Sequence, residues 1–168
     1  MRLLSIVLCA ISVSLYAQDN VKSAREGFKL SLAVDGSAVY ESDVKPSPYL
    51  NGPNVLQLYP GEKVFLEVEQ VDGTIKSIKT VKENKNPTKT IEVSFAQNVE
   101  GQKHKGMMLQ INNPFNMSLT YSAKMFLMNG SKWVNTDVLP VKANLSSFET
   151  WPDIIVTIAL DGWRFLKE

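Results

Sequence analysis

Apolar side chains fall at every second position over much of this chain. Phe28, Leu30, Leu32 and Val34 alternate with polar or small residues. Val64, Leu66 and Val68 alternate with Phe65, Glu67 and Glu69, and Ile91, Val93 and Phe95 with Glu92 and Ser94. Met107, Leu109 and Ile111 repeat the pattern, as do Leu119, Tyr121, Ala123, Met125 and Leu127. Period two means strands with one face buried. The pairs Asp35-Gly36, Asp72-Gly73, Asn129-Gly130 and Asp161-Gly162 sit between such runs, where their tolerance of positive φ predicts tight hairpin turns. Residues 154–160 are apolar almost throughout and rich in β-branched side chains, which predicts a central strand covered on both faces. Trp163, Arg164 and Phe165 then read as a short return strand pairing with it. Stretches 42–54, 82–88, 97–105 and 142–152 read as loops. Helical signals are weak. About ten short strands in hairpins predict an antiparallel all-β sandwich or barrel.

The N-terminus breaks the pattern. Arg2 is followed by an apolar run from Leu3 to Leu15, and Tyr16-Ala17 ends it before the polar Gln18-Asp19-Asn20. That is the layout of a cleavable signal peptide over 1–17, with a run too short to span a bilayer stably. Residues 18–26 read as a flexible leader and 27–168 as one domain. Cys9, the only cysteine, lies within the apolar run behind bulky Leu8, so a lipoprotein anchor is not expected. The mature chain then holds no thiol, and its stability rests on packing without disulfides. No later stretch is long and apolar enough for a transmembrane helix. The expected destination is the periplasm or the exterior.

The stretch Leu58-Tyr59-Pro60-Gly61-Glu62-Lys63-Val64-Phe65-Leu66 resembles the Pro-Gly-Glu turn that precedes a strand in bacterial immunoglobulin-like domains. The resemblance covers these few residues and implies an immunoglobulin-like sandwich at superfamily level. It carries no functional residue with it. The cysteine pair of antibody-type domains is absent.

Charge narrows the function classes. Of 18 lysines and arginines only Arg2 lies in the segment 1–17, leaving 17 against 17 acids. A neutral chain has no built-in attraction to nucleic acid or anionic lipid. His104 is the only histidine, between Lys103 and Lys105 in a polar stretch, and reads as a solvated loop residue rather than a catalytic base. One histidine and no mature cysteine leave no ordinary structural zinc site, and Asp35, Asp72 and Asp161 are scattered among turns rather than clustered for calcium. Glu67 and Glu69 share a strand face and read as a solvated outer face, although a glycosidase carboxylate pair could still be assembled from distant positions. No cofactor is expected. Three asparagines, Asn116, Asn129 and Asn144, begin Asn-x-Ser patterns, which matter in a eukaryotic secretory pathway and carry no weight in a bacterium.

Aromatic residues are the best contact candidates. Phe148 and Trp151 stand in the stretch before the most apolar strand, and Tyr49 lies among Pro46, Pro48 and Pro53. They serve either as anchors for a partner or, for Phe148 and Trp151, as a plug over one end of the core; the plug is favoured because large aromatics are costly to leave wet. The sequence therefore predicts a non-enzymatic exported sandwich acting as a binding or envelope-assembly module for protein or surface glycan. The rivals are a carboxylate-based glycan enzyme, a carrier with an apolar cavity lined by Met107, Met125, Tyr121 and Phe95, and a subunit pairing through 154–160.

Overall fold

The structure, a computed structural model, describes residues 24–167. The expected signal peptide, Cys9 and the leader up to residue 23 lie outside the described residues. In chain order the elements are β1 (Ala24–Arg25), β2 (Phe28–Ala33), β3 (Val39–Val44), β4 (Ser47–Pro48), β5 (Leu50–Asn51), β6 (Val55–Leu58), β7 (Glu62–Val71) and β8 (Thr74–Val81). A 3₁₀ turn (Pro87–Lys89) leads into β9 (Thr90–Glu100), followed by β10 (Lys103–Asn112), β11 (Leu119–Leu127), β12 (Trp133–Thr136), β13 (Ser146–Trp151) and β14 (Ile155–Phe165).

Two five-stranded antiparallel sheets enclose the main core. The first runs β13-β10-β9-β7-β8 and the second β12-β11-β14-β6-β5. This is the all-β antiparallel sandwich that period two predicts. Alternate residues meet in the middle: Leu66, Val93 and Leu109 from the first sheet, Leu58, Leu119 and Ile158 from the second, each fully buried. Burying one such side chain contributes about 1.5–3 kcal/mol. Met107, Met125, Tyr121 and Phe95 belong to the same packed cluster.

The 154–160 run is central, as expected. β14 lies between β11 and β6, with Ile158, Ala159 and Leu160 paired on both edges. Its apolar continuity has two causes. Ile155, Ile158 and Leu160 enter the main core, while Val156 faces outward into a second cluster with Leu30, Leu32 and Val44 from the β2–β3 hairpin. The register with β11 shifts between Phe126↔Thr157 and Leu127↔Ile155, which turns Val156 and Thr157 to the same side.

Two Asx-Gly pairs behave differently. Asp72 and Gly73 take φ of 49° and 70° and close the β7–β8 hairpin. Asp161-Gly162, predicted as a turn, is a bulge inside β14: Gly162 has φ 66°, and pairing with β11 resumes at Thr120↔Arg164. The return strand expected at 163–165 is therefore the continuation of β14. Trp163 and Phe165 are core residues there, because β11 offers a template long enough to pair past the bulge.

Candidate functional site

Three regions gather the chain's polar and aromatic groups, and two of them consume residues that the sequence left free. The first surrounds Arg25, which the sequence reading placed in a flexible leader. Arg25 is buried at 3 % exposure. Its Nε and Nη2 donate to the two Glu62 carboxylate oxygens at 2.8 and 3.0 Å, Nη1 to Ser47 Oγ at 2.8 Å, and Nη2 also to the Gln57 carbonyl at 2.6 Å. The guanidinium lies 4.7 Å from the Tyr49 ring centre and 5.0 Å from that of Tyr59. Glu62 is positioned by the 59–62 turn, where its Oε2 accepts from the Tyr59 backbone N–H. Tyr49, half-buried, thus has one face of its ring against Arg25. Burial pushes its phenol above the ordinary range, Glu62 adds to this and Arg25 opposes it. No local signal marks this socket, since its members come from three stretches of the chain, at 25, 47–49 and 57–62.

The second region holds His104. It is half-buried rather than solvated, because 97–105 is not a loop but the tip of the β9–β10 hairpin. The β2–β3 hairpin reaches this tip: Gly36 N–H donates to the Gln102 carbonyl and His104 N–H to that of Val34. The Gln97 side-chain amide binds Ala33 at both N–H and carbonyl and also donates to His104 Nδ1 at 2.8 Å. His104 Nε2–H then donates to the Pro152 carbonyl at 2.9 Å. Both ring nitrogens are occupied by structural partners.

The acids of the first sheet's outer face are occupied as well. Glu67 accepts from Lys79 at 2.7 Å and Asn86 at 2.6 Å, and both bonds hold its carboxyl below the usual range. Glu92 is lowered in the same way by Lys63 and then Asn84. Glu69 accepts from Ser77. Among the described residues no group of three His, Cys, Asp or Glu side chains is placed to hold a metal ion, and no helix is long and apolar enough to cross a membrane.

The third region is the edge of the first sheet. Residues 146–151, expected within a loop, form β13 and pair with β10 from Met107↔Trp151 to Asn112↔Ser146 without a bulge. The alternation that signals a half-buried strand is muted here, because both faces carry polar residues. Phe148 and Trp151 fall on opposite faces. Phe148 is 58 % exposed, not a plug. Trp151 packs partly against the core, and its indole N–H donates to Thr136 Oγ1 at 2.9 Å, which ties the two sheets together along this side. Glu149 faces inward and accepts from the Leu139 backbone N–H. Leu139 and Leu145, flanking the strand, are 72 % and 56 % exposed.

The sheet edges are not equivalent. β8 carries Lys76 and Lys79, and its pairing with β7 is bulged at Glu69/Gln70. β5 has two residues and β12 four. Short strands, lysines and bulges keep edges from recruiting other strands. β13 has six residues, no lysine, arginine or proline, and an exposed phenylalanine. Among the described residues, no backbone hydrogen bond joins it to any segment other than β10.

Where β7 ends and β13 begins, an open cleft of about 490 Å³ lies between the end loops. Thr88, Lys89, Asn116 and Asn144 line it with Glu69, Gln70 and Pro114. No protein-family model, curated protein or solved structure matches this chain. The geometry by itself defines an antiparallel sandwich with one unguarded edge.

Proposed function

We propose that this chain is a non-enzymatic, exported binding or envelope-assembly module that engages a protein partner through β13. The observation that carries the reading is the state of that edge: six regular residues whose outer backbone groups pair with no other described segment, no lysine, arginine or proline to repel a strand, a single acid (Glu149) turned inward, and Phe148 beside them in water. Strand addition supplies main-chain hydrogen bonds, and an exposed aromatic supplies an anchor. The engagement of His104, Glu62, Glu67 and Glu92 with structural partners supports the non-enzymatic part. The N-terminal apolar run supports export, and the Pro-Gly-Glu turn supports an immunoglobulin-like relationship.

The test is affinity capture from envelope extract with the wild-type chain, Phe148→Lys and Thr150→Pro. Both variants keep the wild-type circular dichroism spectrum and lose the captured protein. An unchanged set of captured proteins in both variants would overturn the reading.

A second reading rests on the end cleft. The side chains of Thr88, Lys89, Asn116 and Asn144 make no hydrogen bond among the described residues. Amides, a hydroxyl and an ammonium suit the hydroxyls of a surface glycan. Chemical-shift changes confined to these four residues on adding soluble envelope glycan would support it, and none at saturation would remove it.

A further inference from the structure

We infer that the strand added to β13 is β13 of a second copy of this chain, joined through a twofold axis at Phe148. This rests on the reading of β13 as a binding edge and names its occupant.

The argument is one of self-complementarity. Two identical edges related by a twofold must run antiparallel, and residues directly opposite must lie on the same face. Each residue is therefore paired with one of the same parity, and the twofold must pass through a single residue. Centring on Glu149 sets two carboxylates opposite each other, which opposes pairing. Centring on Ser147 shortens the overlap and puts Phe148 opposite Ser146. Centring on Phe148 does neither. It sets Phe148 against Phe148, Ser146 against Thr150, and Ser147 against Glu149. The strand then meets no like charge, two exposed rings cover each other, and the two first sheets become one continuous sheet of ten strands.

Charge agrees with this choice. The only ionisable group on β13 is Glu149, whose carboxylate is already turned inward onto the Leu139 N–H. The outward row across the first sheet at this level is Phe148, Gln110 and Ser94, all uncharged. Lysine first appears at Lys63, on the far side of β9. An edge that must stay single would carry its charges here, as β8 does with Lys76 and Lys79.

The register makes the inference testable, because opposite positions lie at Cα separations that a disulfide can bridge. The experiment uses the exported full chain in a Cys9→Ser background, so that the introduced thiol is alone whether or not residues 1–17 are removed. Phe148→Cys is expected to oxidise to a covalent dimer. Ser146→Cys alone is expected to stay monomeric, whereas a mixture of Ser146→Cys and Thr150→Cys crosslinks. Sedimentation of the unmodified protein is expected to show a concentration-dependent dimer that Phe148→Lys abolishes.

A monomer at every concentration, with no Phe148→Cys crosslink, overturns the second copy as occupant. Crosslinking of Ser146→Cys as fast as Phe148→Cys overturns the register and marks random collision. If the protein is monomeric yet Phe148→Lys still loses a captured envelope protein, the β13 edge stands as a binding surface and only its occupant is wrong. If capture is also indifferent to Phe148→Lys, both readings fall.

Discussion

On the outer face of the second sheet, Val156, Phe126 and Met128 lie under the β2–β3 hairpin, whose Leu30 and Leu32 close over them. On the outer face of the first sheet, Lys63 pairs with Glu92 and Lys79 with Glu67 in contact with water. Both faces belong to sheets of five antiparallel strands sharing one core, so sheet geometry does not separate them. What separates them is the hairpin, and the hairpin is held by groups at its two ends. Near its base, Arg25 of β1, which pairs with β4, sits in the Glu62 socket; at its tip, Gln97 and His104 grip Ala33 and Val34. The comparison teaches that an apolar outer face is made by a cover and its fastenings, and that an uncovered face survives by pairing its charges.

The largest expected effect is at the fastening. Arg25→Ala leaves the Glu62 carboxylate buried without its cation, and the urea midpoint should fall by the equivalent of about 3–5 kcal/mol. Next is the cover itself. Leu32→Ala should cost about 2–3 kcal/mol, toward the low end for a buried leucine because the second cluster is small and free to relax. A smaller change of opposite sign is expected inside the shared core. The Tyr121 hydroxyl is buried without a hydrogen-bond partner among the described residues, although the ring stacks on Trp163 at 5.3 Å. Tyr121→Phe should leave stability unchanged or raise it by up to about 1 kcal/mol. Burial also pushes this phenol above its usual range. The unfolded chain would ionise first, so stability should fall as pH rises past the ordinary tyrosine range, and less so in Tyr121→Phe.

The smallest effect belongs to the wet face. Glu67→Gln removes a pair whose Lys79 end is exposed to water and should shift stability by no more than about 0.5 kcal/mol at neutral pH. Its signature is in acid. Because Lys79 and Asn86 hold the Glu67 carboxyl below its ordinary range, its contribution is present above that range and is lost as pH falls through the folded value. The acid limb of a urea-midpoint titration should be shallower in Glu67→Gln than in the wild type. If Arg25→Ala and Glu67→Gln cost the same, the distinction between covered and wet faces is wrong.

Much of the fold was legible because it rests on local alternation. The strands around Leu66, Val93, Leu109 and Ala123 all announce a buried face, and the Asp72-Gly73 turn announces its hairpin. The continuous run ending at Leu160 announces double burial. Legibility failed where a local signal has two uses. Asp161-Gly162 suits a turn or a bulge, and only the length of β11 selects the bulge. It failed again at 146–151, where a strand with polar residues on both faces looks like a loop. The candidate site suffered most. Tyr49 reads as a free aromatic until Arg25 comes to rest on it, and Glu62 reads as a turn residue until it meets the same guanidinium.

By itself, the sequence determined that the chain folds as antiparallel ribbons and which side of most ribbons is apolar, because side-chain alternation is a property of neighbouring residues. The tertiary structure alone decided which edge lies open, which aromatics are exposed, and where the lone histidine is braced. Those outcomes depend on partners tens of residues away, such as Arg25 with Glu62 and Gln97 with Ala33, and no local pattern encodes a meeting between distant segments.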